Sequence, residues 1–551
     1  MNFLMKVIFS FFTCIILSSS AMALNYYINA EMGNDANSGT SIKTFRKTFS
    51  PIASIQLKPG DSVLLATGQK FTGMLSLVNV SGSLHHPVVI AVYSENGNKA
   101  KPILDAGDKL NALLIRNSSF IQVCGIEITG QTPYQSNGQI KQGEMRCGIL
   151  VDVTKDETFT DILIKDVVVH DVYYHAPGYK RTAAETASAN GTQSYGWGIR
   201  FINNSKKGLL AGVKVLQVEI FNVSHTGLKF TANAKGLHDV EVAECKIYQT
   251  GGPGLQMSGV NNGHIHHNTI DHSGSVADSR NWGRGSGMWT WSCSNILIEH
   301  NRFENANGPG DSAGVHIDYN CSDVVVQYNV SANNAGGFCE ILGNNYNCAY
   351  RYNISINDGH RIRGVNGAFQ EGKIFWLSGY QGNNKGKAGP FNSYFYNNSI
   401  YVSSKILPRI AVSSSSNGVL IANNIFYFEN DAEMVQGDQK KYESDAGEIP
   451  NVVFKNNLFL SPDNWPKEIS IKDASPLIGD PGFKNKGGIT VSDYLPANEK
   501  LIRNRGIQIL PVPQDSIGLR IGLKVEKDIL GNLINGIPDM GAIELNETLK
   551  P

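Results

Sequence analysis

Long apolar runs, an excess of charge of either sign and paired cysteines are all missing from this chain, and each absence closes a functional class. After residue 23 no stretch is long and apolar enough to span a bilayer as a helix. Lysine plus arginine and aspartate plus glutamate both number 48, so there is no basic field for nucleic acid and no polybasic membrane patch. Eight cysteines are present, Cys14 among them in the N-terminal apolar segment, and the other seven form no Cys-x-x-Cys pair. That odd set argues against a disulfide scaffold or a zinc site and is read as buried free thiols.

What is present begins with a leader. Lys6 supplies a positive start, Val7–Leu17 an apolar stretch and Ala21–Ala23 a small-x-small cleavage site, so residues 1–23 read as a signal peptide and the protein as secreted or periplasmic. Beyond it, Asn25–Asn29 alternates as a strand, Gly33–Gly39 is a loop, and Leu57–Asp61 is a turn before the apolar run Ser62–Ala66. Residues 24–110 are accordingly taken as an N-terminal cap with the first coils.

A short motif then returns: apolar, x, apolar, x, x, Asn, x, apolar. Clear copies are Ile121–Ile128, Ile162–Val169, Val213–Ile220, Val240–Ile247, Ile296–Phe303 and Val324–Ser331, and weaker ones follow to Val452–Leu458. Their sixth positions run from 126 to 457 in eleven copies, about 33 residues apart on average and 23–28 at the tightest. From Asn268 onward that position is always Asn: Asn301, Asn329, Asn353, Asn398, Asn424 and Asn457. Alternation with period two excludes helical repeats, which need apolar spacing of three and four. Stacked parallel strands give the asparagines a task, since each amide can hydrogen-bond the next along the axis. The pattern predicts an all-β, right-handed parallel β-helix over residues 111–465, with a C-terminal capping segment over 466–551. A propeller is the other architecture with such repeats, but its blades are longer, at about 40–45 residues. Insertions at 131–157, 173–196 and 359–390 interrupt the coils. Cys293 and Cys321, each eight residues before a ladder Asn, should be neighbours, close enough to permit a disulfide without requiring one.

The opening Tyr26–Asn29, Gly33–Thr40 and Pro59–Leu65, with the closing Asp480–Phe483 and Asp539–Glu544, resembles the secreted parallel β-helix proteins of carbohydrate metabolism. The resemblance implies that fold and a glycan-related role, as in polysaccharide lyases and glycoside hydrolases. It implies no catalytic residues: the ordered Asn-x-Asp, Asp-Asp, His-Gly and Arg-x-Lys pattern of pectin hydrolases is not evident, and Arg361–Arg363 matches only part of its last element.

Candidate chemistry concentrates in residues 284–343. A second strand follows a glycine in each coil, at Gly198, Gly227, Gly254, Gly287, Gly314 and Gly337. Alternation turns Ile199, Leu228, Leu255, Met288 and Val315 inward and places Arg200, Lys229, Gln256, Trp289 and His316 on the outer face, one per coil. Asp318 shares the face of His316, and Glu340 joins it on the next coil if the Gly336–Gly337 pair absorbs one extra residue. Glycoside cleavage needs two carboxylates about 5 Å or roughly 6.5–9.5 Å apart. Asp318 with Glu340, or with Asp311 in reserve, meets that need, with His316 orienting substrate or tuning a carboxyl. The plain structural explanation is a turn cap at Asp311 and solvated rungs elsewhere. Trp282, Trp289, Trp291, Tyr319, Trp376 and Tyr380 suit sugar platforms, or else they pack loops. His360, Arg361, Arg363, Glu371 and Lys373 come from the 359–390 insertion and suit a cleft wall, the cations toward an acidic sugar, or else they solvate that loop. The cleft is expected over residues 254–376, walled by the 173–196 and 359–390 insertions. Three functions stay open: a glycoside hydrolase needing no cofactor, a lyase in which Ca²⁺ sits on Asp311, Asp318 and Glu340, and a non-catalytic glycan-binding solenoid. The substrate partner is a polysaccharide or oligosaccharide in each.

Overall fold

The structure, a computed structural model, describes residues 23–545 except 96, 135–144, 177, 181–193, 234, 275–283, 383–384 and 436–448. The leader up to residue 22, most of the 173–196 insertion and Trp282 lie outside the described residues.

Three parallel sheets wind round one apolar interior. The chain visits them in rotation, as in Ile121–Cys124, Glu127–Gly130 and Arg146–Val153, and each pass lies on the pass before it. The sheets hold 14, 12 and 14 strands. The coils thus begin before the first recognisable copy of the motif, at Ser62–Ala66, Lys70–Thr72 and Leu75–Val78, where loop residues obscure the repeat. Ile199, Leu228, Leu255, Met288 and Val315 all point inward and are fully buried, and Phe201 stacks on Phe230 at 4.9 Å between centroids. An edgewise stack of this kind buries a continuous core that no single coil could make alone.

The corner between the first and third sheets explains the motif. The residue before the sixth position is left-handed in coil after coil: Asp166, Gln217, Glu244, His267, His300, Tyr328, Tyr352, Asn397, Asn423 and Asn456 have φ between 52° and 60°, with Gly125 at 75°. Such a backbone turns the strand sharply, and β-branched residues are absent from it. Asn268, Asn301, Asn329, Asn353, Asn398, Asn424 and Asn457 then form one internal column. In each step the next residue's Oδ1 accepts from both the backbone N–H and the Nδ2 of the one before, at 2.9–3.2 Å. Cys245 N–H feeds the first Asn and Asp473 Oδ2 accepts from the last. The ladder is closed at both ends.

Closure of the solenoid end falls to Trp465, Ile469 and Ile471, which join the main core beside Asp473. Leu477–Ile478 then adds a last short strand to the third sheet, and the chain beyond it leaves the end. It runs back along the flank: Phe483, Tyr494, Ile502 and Met540 cover Val330, Ile354, Ile356 and Tyr401, and Val512, Leu519 and Val525 cover Tyr352, Tyr394 and Tyr396. Those coils carry apolar side chains outward, and the segment removes them from water. All seven cysteines of the described residues are free thiols, and register of Ser294 on Ser322 sets Cys293 beside Cys321 without a bond between them. No described helix is long and apolar enough to cross a membrane.

Candidate functional site

The 12-stranded sheet carries the chemistry on its outer face. Its register stacks Ser76, Leu114 and Leu150, then Arg200, Lys229, Gln256, Trp289 and His316, then Glu340, Trp376 and Ala411. Glycines make this close stacking possible: a Cβ on Gly287 would sit 2.4 Å from the carbonyl oxygen of Gly314. No bulge is needed: Gly337 pairs with Ala313 and Ile317 with Ile341 in one unbroken register, so Cys339 faces the core and Glu340 comes into line with His316. One feature of the column differs from the sequence expectation. These side chains face outward but are not solvated, for Arg200, Lys229, Gln256, Trp289, His316, Glu340 and Trp376 are each at most 8% exposed.

His316 is the centre. Its Nδ1 lies 3.3 Å from Ser286 Oγ, and its Nε2 lies 3.9 Å from Asp318 Oδ2 and has no hydrogen-bond partner. Burial disfavours the imidazolium, but Glu340, Asp318 and Asp311 outweigh it and raise the pKa to about 9. Glu340 is raised to about 7, first by burial and then by Asp311 and Asp318, against the pull of His316 and Lys373. Asp311 goes the other way: burial would raise its carboxyl, yet Arg284, His316 and Arg361 hold it below the usual range, with Arg284 Nη1 at 3.2 Å. Asp318 sits one rung diagonal from Glu340, which in a parallel ladder places their Cα atoms roughly 8 Å apart. The arrangement therefore holds one carboxyl primed to be protonated near neutrality beside Asp311, whose carboxyl is kept ionised, both around one buried cation.

Loops complete the shell. Asp311 and Ser312 are both left-handed, at φ 44° and 62°, which turns the Asp311 carboxylate back toward His316. The Asp311 N–H donates to Gln370 Oε1 at 2.5 Å, and Arg361 donates to the carbonyls of Gly308, Asp311 and Gln370 at 2.9–3.0 Å. Arg361 thus braces the Asp311 loop rather than standing free in a wall. Lys373 Nζ rests 4.0 Å over the Trp376 ring, and Glu371 accepts from Arg363 N–H and pairs with Arg409 Nε at 3.5 Å. Trp291, 40% exposed, lies beside Tyr319 at 5.1 Å, and Lys385 lies over Tyr319. That lip is the open platform next to Asp318.

The structure brings together Asp311, His316, Asp318, Glu340, Arg361, Glu371, Lys373, Trp289, Trp291 and Trp376. It sets Arg200 and Lys229 apart, four and three rungs from His316, where both lie over the Trp197 ring at 4.2 and 4.9 Å. His360 and Arg363 are exposed, and His360 with Arg361 lines a cavity of about 780 Å³ bounded by Asn307, Pro309, Ala335 and Val365. This concavity lies within the coils of residues 254–376 beside the 359–390 insertion, at the corner next to the outer column. Sequence reasoning missed Arg284, Ser286, Gln370 and Arg409. Arg409 had a signal, two residues before the outward Ala411 on the same face; Gln370 had none. Among the described residues no group of three or more His, Cys, Asp or Glu side chains has metal-binding geometry.

The family model for the right handed beta helix region matches residues 197–383, the span from the Arg200 rung past Trp376. The fold is a right-handed parallel β-helix. A curated lacto-N-biosidase of Bifidobacterium longum subsp. longum is 22% identical, with 96% of this chain aligned. The chain spans 37% of the length of that relative. Among solved structures, a GH136 lacto-N-biosidase from Eubacterium ramulus superposes with a TM-score of 0.53 at 18% identity, over 83% of this chain and 68% of that one. The complex of XylC with xylose matches at a TM-score of 0.46 and 10% identity, over 95% and 98%.

Proposed function

We propose that the protein is an exported glycoside hydrolase that cleaves an oligosaccharide or polysaccharide with carboxylates on the side face of the β-helix. The observation that carries this is the cluster around His316: Glu340 held near a pKa of about 7 and Asp318 on the adjoining rung diagonal, with an open aromatic lip beside it. The name of the Bifidobacterium relative supports hydrolysis over elimination. The leader-like residues 1–23 support export.

In this reading Glu340 gives its proton to the glycosidic oxygen as the bond to the anomeric carbon breaks. Asp318 attacks that carbon or takes a proton from the water that does. His316, held as a cation by the carboxylates around it, offers its unpartnered Nε2–H to substrate. A second reading exchanges Glu340 for Asp311: the Asp311 carboxylate attacks the anomeric carbon or takes the proton of the water that does, and Asp318 gives its proton to the glycosidic oxygen. It is favoured by residual side-chain exposure of 14% at Asp311 and 12% at Asp318, which flank the same short strand, and by the lowered Asp311 carboxyl. Glu340 then serves as the buried partner of His316.

A screen on neutral and acidic glycans finds the substrate, and new reducing ends without unsaturated uronate absorbance identify hydrolysis. The side chains carry the reaction without a cofactor, so a chelator leaves the rate unchanged. Asp318→Asn lowers turnover about 10²–10⁴-fold with the fold intact. Glu340→Gln does the same in the first reading, and Asp311→Asn in the second. Near-normal turnover in Asp318→Asn overturns both. With Glu340 as acid, the rate also falls as pH rises through about 7.

A further inference from the structure

The terminal segment that lies along the flank has an inner and an outer side, and the outer side departs from ordinary loop chemistry. Leu510, Ile517, Ile521, Leu530, Leu533 and Ile537 are 46–70% exposed. An isolated exposed aliphatic is common in a folded protein, but these fall in one stretch, most of them at turns. Gly518, Gly522, Gly531 and Gly536 are left-handed, at φ 68–84°, and they adjoin Ile517, Ile521, Leu530 and Ile537 in that order. Turns of this kind favour Asn, Asp or Ser beside the glycine. Here Gly522 and Gly531 donate back to Leu519 O and Asp528 O, and the residues held at the tips are Ile521 and Leu530. The tips surround one hollow. Ile537 lines a cavity of about 420 Å³ with Ile509, Leu523, Val525 and Ile534, and Leu510 and Leu533 adjoin two of those walls in the chain.

Charge is sorted over the same segment. Its exposed ionic side chains from Leu510 to Ile537 are Arg520, Lys524, Glu526 and Lys527, and Arg505 is exposed just before them. The remaining carboxylates are turned inward. Asp515 accepts from the Tyr394 hydroxyl, Asn347 Nδ2 and the N–H groups of Ile517 and Gly518. Asp528 accepts from the N–H groups of Leu530, Asn532 and Glu544. The balance of charge over the whole chain thus hides a surface that is positive and aliphatic at once.

We propose that this outer side docks on an anionic lipid surface. Hydrocarbon accepts separate aliphatic tips without matching their shape, as a rigid protein partner must, and acidic headgroups complement Arg505, Arg520, Lys524 and Lys527. The tips enter the interfacial layer between those cations, and no spanning segment is needed. The flank under the segment belongs to the first and third sheets, and the cluster around His316 belongs to the 12-stranded one. A docked molecule therefore turns its candidate cleavage face away from the lipid. The inference stands apart from the hydrolase reading.

Sedimentation with vesicles tests it, on protein from Leu24 onward so that the apolar leader takes no part. The vesicles are phosphatidylcholine mixed with phosphatidylglycerol, and phosphatidylcholine alone. Wild type should partition onto the mixed vesicles at least about tenfold more strongly and be released by salt, since each cation near an anionic surface contributes about fivefold. Lys524→Glu with Lys527→Glu should abolish that preference. Ile517→Ser with Ile521→Ser should weaken binding to the mixed vesicles about tenfold or more. All four positions are exposed, so both pairs should leave the unfolding curve and any glycan cleavage in solution unchanged. No binding of wild type to the mixed vesicles, or equal binding to the two lipids, overturns the proposal, and neither result needs a variant to fold. Vesicle binding that both pairs leave untouched overturns its placement. Dimers in sedimentation velocity that Ile517→Ser with Ile521→Ser dissolves, without vesicle binding, would make a second copy the occupant and overturn the lipid.

Discussion

Two columns of polar side chains climb the same coils, one inside the solenoid and one on its face. The inner column, Asn268 to Asn457, has its amides paired up and down the stack and ends on Asp473. The outer column, Gln256 to Trp376, is also buried, yet Gln256 Oε1, Trp289 Nε1, His316 Nε2 and Trp376 Nε1 have no partner. Burial and polarity are the same in both, and satisfaction is what separates them. A completed network holds a fold together; an incomplete one on a surface face is waiting for a ligand. The N-terminal coils show that neither is required by the backbone. There the inner position is Ile126, Val167, Val218 and Cys245, and the outer one is Ser76, Leu114 and Leu150.

The strongest way to break the comparison is to open the inner column. Asn329→Leu removes the acceptor of the Asn301 N–H and Nδ2 and the Nδ2 donor to Asn353 Oδ1, while the backbone N–H to Asn353 stays. Each orphaned group costs about 1–3 kcal/mol, so a loss on the order of 3 kcal/mol or more is expected in denaturant unfolding. Ile126→Val at the same corner of the apolar coils should cost only about 0.5–1.5 kcal/mol. Equal costs at the two sites would mean that the ladder contributes packing and nothing more.

Next in size is a pH dependence to which the outer column contributes and the asparagine amides of the inner one do not. Glu340 and His316 both have folded pKa values above their ordinary ones, about 7 and about 9. The native state therefore binds more protons than the unfolded chain, and stability falls as pH rises. For Glu340 the contribution is complete below the ordinary carboxylate range and is lost as pH climbs through about 7; for His316 it is complete below about 6.5 and lost through about 9. Melting temperature should drop between pH 5 and 9, and Glu340→Gln should flatten the lower part of that slope. An inner-column variant should shift the whole curve without changing its shape. A melting temperature that rises over this range in wild type would contradict the assignment.

Period was enough to expose both columns. The sixth position could be read as a ladder because Asn recurs there whatever the length of the loops between, and Arg200 to His316 followed from alternation after a glycine. Glu340 needed no extra residue at Gly336–Gly337: Gly337 stands opposite Ala313, and the glycine that marks the other rungs misled the alignment by one position. Asp311 was visible as a residue but not as an ionised carboxylate, because Arg284, Gln370 and Arg361 reach it through loop closure, Gln370 from 59 positions away. The flank-lying terminal segment was illegible for a similar reason: its apolar residues match a surface that exists only once the coils have stacked. Alternation tells which way a side chain points, not what covers it.

The finest distinction uses two tryptophans that differ in one hydrogen bond. Trp465, in the segment that closes the solenoid end, donates its indole N–H to Ile471 O at 3.0 Å, whereas Trp289 on the outer column donates to nothing. Trp465→Phe loses packing and leaves the Ile471 carbonyl short of a donor, so a cost of about 1–3 kcal/mol is expected with no effect on glycan binding. Trp289→Phe also loses packing, but it removes a buried N–H that was desolvated and unpaired, and the two changes offset each other to within about 1 kcal/mol. Its effect should fall instead on affinity, about five- to tenfold weaker for whichever glycan the protein binds, because the replaced N–H would have been completed by that ligand. Unfolding curves and binding isotherms on the same two variants decide the matter. If Trp289→Phe destabilises as much as Trp465→Phe and binds glycan normally, its unpaired N–H reports nothing about function, and the outer column is only a covered surface.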